Sequence, residues 1–76
     1  MELTDFVKNF ASQFEETPLS EFSPNTQFKS IKEWSSLIAL SVIAMIDEEY
    51  DVAIKGNDIR KAETIDDLFN IVKSLK

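Results

Sequence analysis

The chain has no cysteine and no histidine, and only one glycine and two prolines in 76 residues. Without cysteine there is no disulfide framework and no thiolate zinc site. Without cysteine and histidine there is no Ser–His or Cys–His pair, so that route to nucleophilic catalysis is closed. Cations are scarce too: eight Lys and Arg stand against fourteen Asp and Glu, for a formal charge of −6. Nucleic acids and anionic membranes are gripped through clusters of Lys and Arg, so neither is expected as a partner, whereas basic protein surfaces are. The longest apolar run, Leu37 to Ile46, is about half what a membrane span needs. The start MELTDFVK places acids where an export signal carries positive charge, which makes a cytoplasmic protein the expectation.

What is present is enough to fold. Hydrophobic residues make up 43% of the chain and aromatics 11%, too apolar for a disordered tail. The length allows one core, hence a single domain over residues 1–76. Leu3, Phe6, Val7, Phe10 and Phe14 recur at spacings of three and four, which predicts a helix over 3–14 with Thr4 or a neighbour as its cap. Pro18 and Pro24 among Thr, Ser and Asn mark a long irregular connection. A loop of that length needs anchors, and Phe22, Phe28 and Ile31 are placed to supply them. A second helix is expected over Ser36–Tyr50, a break at Gly56, and a short helical turn around Asp58–Lys61. Thr64 and Asp67 approximate a capping box before a last helix that buries Ile65, Leu68, Phe69, Val72 and Leu75. The fold class is therefore all-α: a small bundle of three main helices plus one short one, with a long loop between the first and second.

The second helix sorts its residues along its length. In EWSSLIALSVIAMIDEEYD two serines are followed by an almost wholly apolar run and then by four acids in five residues. At about 100° per residue, Ala39, Val42, Ile43, Ile46 and Tyr50 form a core arc. Leu37, Leu40, Ser41, Ala44, Asp47 and Glu48 fall on the opposite arc, with Ile38 and Met45 between. So small a bundle cannot cover every side, so some of Leu37, Ile38, Leu40 and Met45 should stay exposed. An apolar patch rimmed by acids is the pattern of a docking surface. Ser35 and Ser36 stand where an N-cap belongs. A phosphate attached there would meet unpaired backbone N–H groups and the positive end of the helix dipole.

Phe28, Ile31 and Trp34-Ser35-Ser36-Leu37 together resemble the acyl carrier protein motif, an apolar lead-in ending in Asp-Ser-Leu. The resemblance extends over most of the chain, through the acidic Asp47-Glu48-Glu49-Tyr50-Asp51 and the Thr-Ile-Asp-Asp-Leu start of the last helix. It implies an acyl-carrier-like bundle, not an enzyme, whose serine bears phosphopantetheine, the thiol of which holds acyl groups as thioesters. The modified serine corresponds to Ser36, since Leu37 follows it. Family partner contacts correspond to Ser35, Leu37, Leu40, Ser41, Ala44, Asp47 and Glu48. The partners implied are a phosphopantetheinyl transferase and the acyl-loading, condensing and acyl-transfer enzymes of fatty acid or polyketide-type synthesis, gripping a monomer through basic patches. Ser35 replaces the family's Asp, a loss for which Glu33 is placed to compensate in part, and Ser41 stands where family members often carry an acid. Those departures point to a dedicated set of partners.

Two other classes remain beside this one. An acidic helical adaptor without a prosthetic arm would share the fold, the charge and the exposed helix. A carrier of aminoacyl or D-alanyl groups would share the arm as well. A calcium loop beginning at Asp47 fails, because Val52 occupies the position that needs glycine, so no metal is expected.

Overall fold

Each helix of this chain is bounded by what its flanking residues can do for unpaired backbone groups at its ends. The computed structural model describes all residues, Met1–Lys76. It contains four helices and no strand: α1 (Leu3–Ala11), α2 (Ser36–Tyr50), α3 (Gly56–Lys61) and α4 (Ile65–Leu75). α1 starts before Thr4, with Glu2 at the N-cap and no side-chain cap at all. It also stops three residues short of Phe14. The Gln13 and Phe14 N–H groups donate to the Phe10 and Ala11 carbonyls, a tighter turn that still delivers Phe14 to the core.

The long connection contains two short 3-10 turns, Leu19–Glu21 and Phe28–Ser30. Phe22 and Phe28 are buried and Ile31 packs half-buried against the core, so all three anchor the loop as its sequence suggests. α2 has the limits read from the sequence. The Ser35 hydroxyl accepts from the Ile38 N–H at 3.3 Å, a side-chain cap. Its far end is closed by Asp51 in the left-handed region (φ 56), whose N–H donates to the Asp47 carbonyl. The break therefore falls at Asp51, not Gly56, which instead opens α3. α3 is nucleated by Asp58, whose carboxylate accepts from the Lys55 N–H at 2.9 Å.

α4 begins with the expected reciprocal cap. The Thr64 hydroxyl accepts from the Asp67 N–H, while the Asp67 carboxylate accepts from the N–H groups of Thr64 and Glu63. Ile65, Leu68, Phe69 and Val72 are buried as their spacing predicts, but Leu75 is 55% exposed because it lies at the last turn, past the core. α1 packs against α2 and α4, and α3 against α4. Phe6 sits where α1, α2 and α4 meet, with its ring 5.6 Å from Tyr50 and 5.5 Å from Phe69. No polar or charged residue is buried, so hydrophobic burial holds the bundle together. Tyr50 keeps its hydroxyl satisfied at the edge, accepting from the Asn9 side-chain amide at 2.8 Å.

Candidate functional site

The residues leading into α2 are held from two sides. The Trp34 indole lies 5.0 Å from Phe28 and 6.3 Å from Phe14, and is nearly parallel to Phe10 at 6.5 Å. This aromatic packing fixes the chain two residues before Ser36. Next to it, the Glu33 carboxylate accepts from the N–H groups of Glu15, Glu16 and Thr17 and from the Thr17 hydroxyl, at 2.8–3.2 Å. The Thr17 hydroxyl, helped by the three backbone donors, holds this carboxyl below its usual range against the opposing pull of desolvation. Glu33 thus closes the turn after α1. Its oxygens are committed to that turn, while the lowered pKa keeps the carboxylate charged close to the start of α2.

Ser35 and Ser36 divide the work at the helix start. Ser35, in extended conformation, spends its hydroxyl on the cap. Ser36 is the first helical residue, with an exposed side chain. It opens onto a groove of ≈ 410 Å³ between α2 and α3. The groove's apolar walls are Trp34, Ala39, Leu40, Ile43 and Ile59, and Lys29 and Arg60 supply its charge. Lys29 is fixed across the fold, its Nζ donating to the Ile59 and Arg60 carbonyls at 3.3 and 3.0 Å. That bond ties the loop to the C-terminal end of α3, where a cation suits the helix dipole. The arrangement therefore offers an exposed hydroxyl at a helix start, beside an apolar groove bordered by cations.

The opposite arc of α2 lies in solvent. Leu37 is 74% exposed and Leu40 63%; Ala44, Asp47 and Glu48 are exposed and Ser41 half-buried. These residues share one face and run from Ser36 toward the acidic end. The buried arc is rotated from the one read off the wheel. Met45 is buried at 5% exposure, while Ala39 and Ile43 are only half-buried. The cause is the position of α1, whose Asn9 and the following Ser12 and Gln13 lie on the Met45 side, leaving Ala39 and Ile43 to line the groove.

Four participants have roles that spacing alone does not reveal. Glu33 looks like a loop acid, and only contacts 16–18 residues away make it a clamp. Lys29 and Arg60 meet across 31 residues. Trp34 is visible as the aromatic before the serine pair, yet its role as a groove wall depends on where α3 lies. In comparison with known proteins, the chain matches no family model, no curated protein and no solved structure.

Proposed function

We propose that this chain is an acyl carrier protein, with Ser36 bearing phosphopantetheine through a phosphodiester. The observation that carries this reading is the exposed Ser36 at the first position of α2, opening onto an apolar groove. The residues fit such a group. Ser35 satisfies the Ile38 N–H, and the Ala39 N–H donates to the Ser35 carbonyl. The Ser36 and Leu37 N–H groups have no partner inside the helix, and a phosphate there also meets the positive end of the dipole.

The thiol of the bound arm holds acyl groups as thioesters while separate enzymes act on them. The chain's own residues position and shelter: Trp34, Ala39, Leu40, Ile43 and Ile59 would cover an apolar cargo and exclude water from it. Leu37, Leu40, Ser41, Ala44, Asp47 and Glu48 form the surface that transferase and acyl-processing enzymes grip. Charge at that surface speeds encounter more than it tightens the complex, which suits repeated hand-over in the cytoplasm by a protein with no catalysis of its own.

The test is incubation with coenzyme A, magnesium and a broad-specificity phosphopantetheinyl transferase, read by intact mass. Wild type should gain one arm and Ser36→Ala none. Modification that survives in Ser36→Ala but not in Ser35→Ala would move the site. A folded chain that no transferase modifies would favour the adaptor without an arm.

A further inference from the structure

Four exposed acids gather at one end of α2 and two cations, Lys29 and Arg60, line the groove at the other, while Lys76, whose Nζ donates to the Tyr50 carbonyl at 3.0 Å, also reaches the acidic end. Asp47, Glu48, Glu49 and Asp51 crowd the C-terminal end of α2, all exposed. At the other end the same face borders the groove that Ser36 shares with Lys29 and Arg60, with no acid among its lining residues. Lys61 follows Arg60, and Lys55 precedes Gly56, another residue of that groove. Segment 55–61 holds three cations against one acid, and that acid, Asp58, is engaged in capping α3. Between the two charged ends stand Leu37 and Leu40, the two most exposed large apolar side chains of the molecule.

We infer that this docking face is bipolar: partner enzymes built for the chain present acidic residues to the α3 side near Ser36 and basic residues to the far end of α2. The inference rests on the carrier reading and specifies its partners. Charge complementarity selects the occupant, because a uniformly basic enzyme surface would meet Lys29 and Arg60 with repulsion in the place where the arm must enter. The size of this face favours an enzyme met briefly over a second copy held stably. The α2 face is about 22 Å long and about 10 Å wide, far below the ~800 Å² per partner of a standard interface. So small a contact suits a brief encounter steered by charge. Opposed charges at its two ends would also fix which way round the partner lies, and so keep the arm's attachment point facing the partner's active site.

The probe is a phosphopantetheinyl transferase whose carrier-binding surface is basic, with coenzyme A as donor. Its kcat/KM on Ser36 is measured at low and high ionic strength for wild type, Arg60→Glu/Lys61→Glu and Asp47→Lys/Glu48→Lys. Reversal at α3 removes a repulsion and should raise kcat/KM at low salt by up to about tenfold, the gain fading as salt screens it. Reversal at the acidic end should lower it. Because glutamates at the end of α3 oppose its dipole, Arg60→Gln/Lys61→Gln serves as a milder pair and should show a smaller gain, with melts verifying the fold of each variant. If both α3 pairs load within twofold of wild type, or more slowly, the basic end lies outside the docking face and the inference is overturned. If wild type is never loaded, the carrier reading falls and this inference falls with it.

Discussion

At the scale of single residues, Glu33 and Asp67, like Asp58, do structural work, and for the first two acid pH should expose it. Glu33 and Asp67 both have carboxyls held below their ordinary values. For Glu33 the Thr17 hydroxyl is the largest cause, and for Asp67 the N–H of Glu63 and then of Thr64. A depressed folded value means that the contribution is fully present above the unfolded value, about 3.9 for Asp and 4.3 for Glu, and is lost as pH falls through the lower folded value. Thermal melts should therefore drop below about pH 4–5. Glu33→Gln should melt lower at neutral pH and lose less on acidification. Parallel curves for the two proteins would show that the clamp has no linkage to folding. The adjacent serines separate by the same kind of measurement. Ser35→Ala removes the cap and should cost about 1 kcal/mol, whereas Ser36→Ala should stay within about 0.5 kcal/mol. Ser35→Asp keeps a capping acceptor and adds negative charge at the positive end of the dipole, so it should fold as well as wild type and be loaded faster by a general transferase. An unchanged or slower rate would mean that recognition does not depend on charge at position 35.

At the scale of elements, α2 shows what periodicity can and cannot deliver. Its limits and its exposed arc are legible in the sequence, because Ser35 is a good cap and Leu37, Leu40, Ala44, Asp47 and Glu48 fall together on the wheel. Its rotation is only roughly legible. A wheel orders residues around one axis without knowing where the neighbours stand, so it puts Met45 between the faces and Ile43 in the core. α1 reverses those two. The energetic consequence is a ranking: Ile46→Ala should cost about 2–5 kcal/mol, Ile43→Ala less, and Leu40→Ala under about 0.5 kcal/mol. Equal losses at Ile43 and Ile46 would contradict the observed rotation. The helix end makes a separate claim. Asp51 takes a positive φ that a β-branched residue tolerates poorly, so Asp51→Val should lower stability by roughly 1–2 kcal/mol, read by chemical denaturation. α1 and α4 illustrate the same limit at their ends. Phe14 reaches the core without being helical, and Leu75 is helical without reaching the core.

At the scale of the whole molecule, the division of labour comes from size. The chain buries a core without a single polar residue, yet too little of it is left to cover both sides of α2. The all-α bundle is readable because three segments have strong caps or strong periodicity, with α3 only weakly signalled, and the loop anchors because aromatic side chains in a polar stretch have nowhere else to go. The groove is not readable. It is assembled from the lead-in to α2, α2 itself and α3, and Lys29 closes it through bonds to residues 30 and 31 positions away. The result is a small acidic body with two exposed serines at a firmly held helix start, of which Ser35 caps the helix and Ser36 does not. The proposed carrier role is tested most directly by the mass of the chain purified intact from the cells that make it, with fragmentation of the modified form. The expected result is a population carrying a single phosphopantetheine, with fragments that assign it to Ser36. A chain recovered wholly unmodified, or modified at any other residue, would contradict that role.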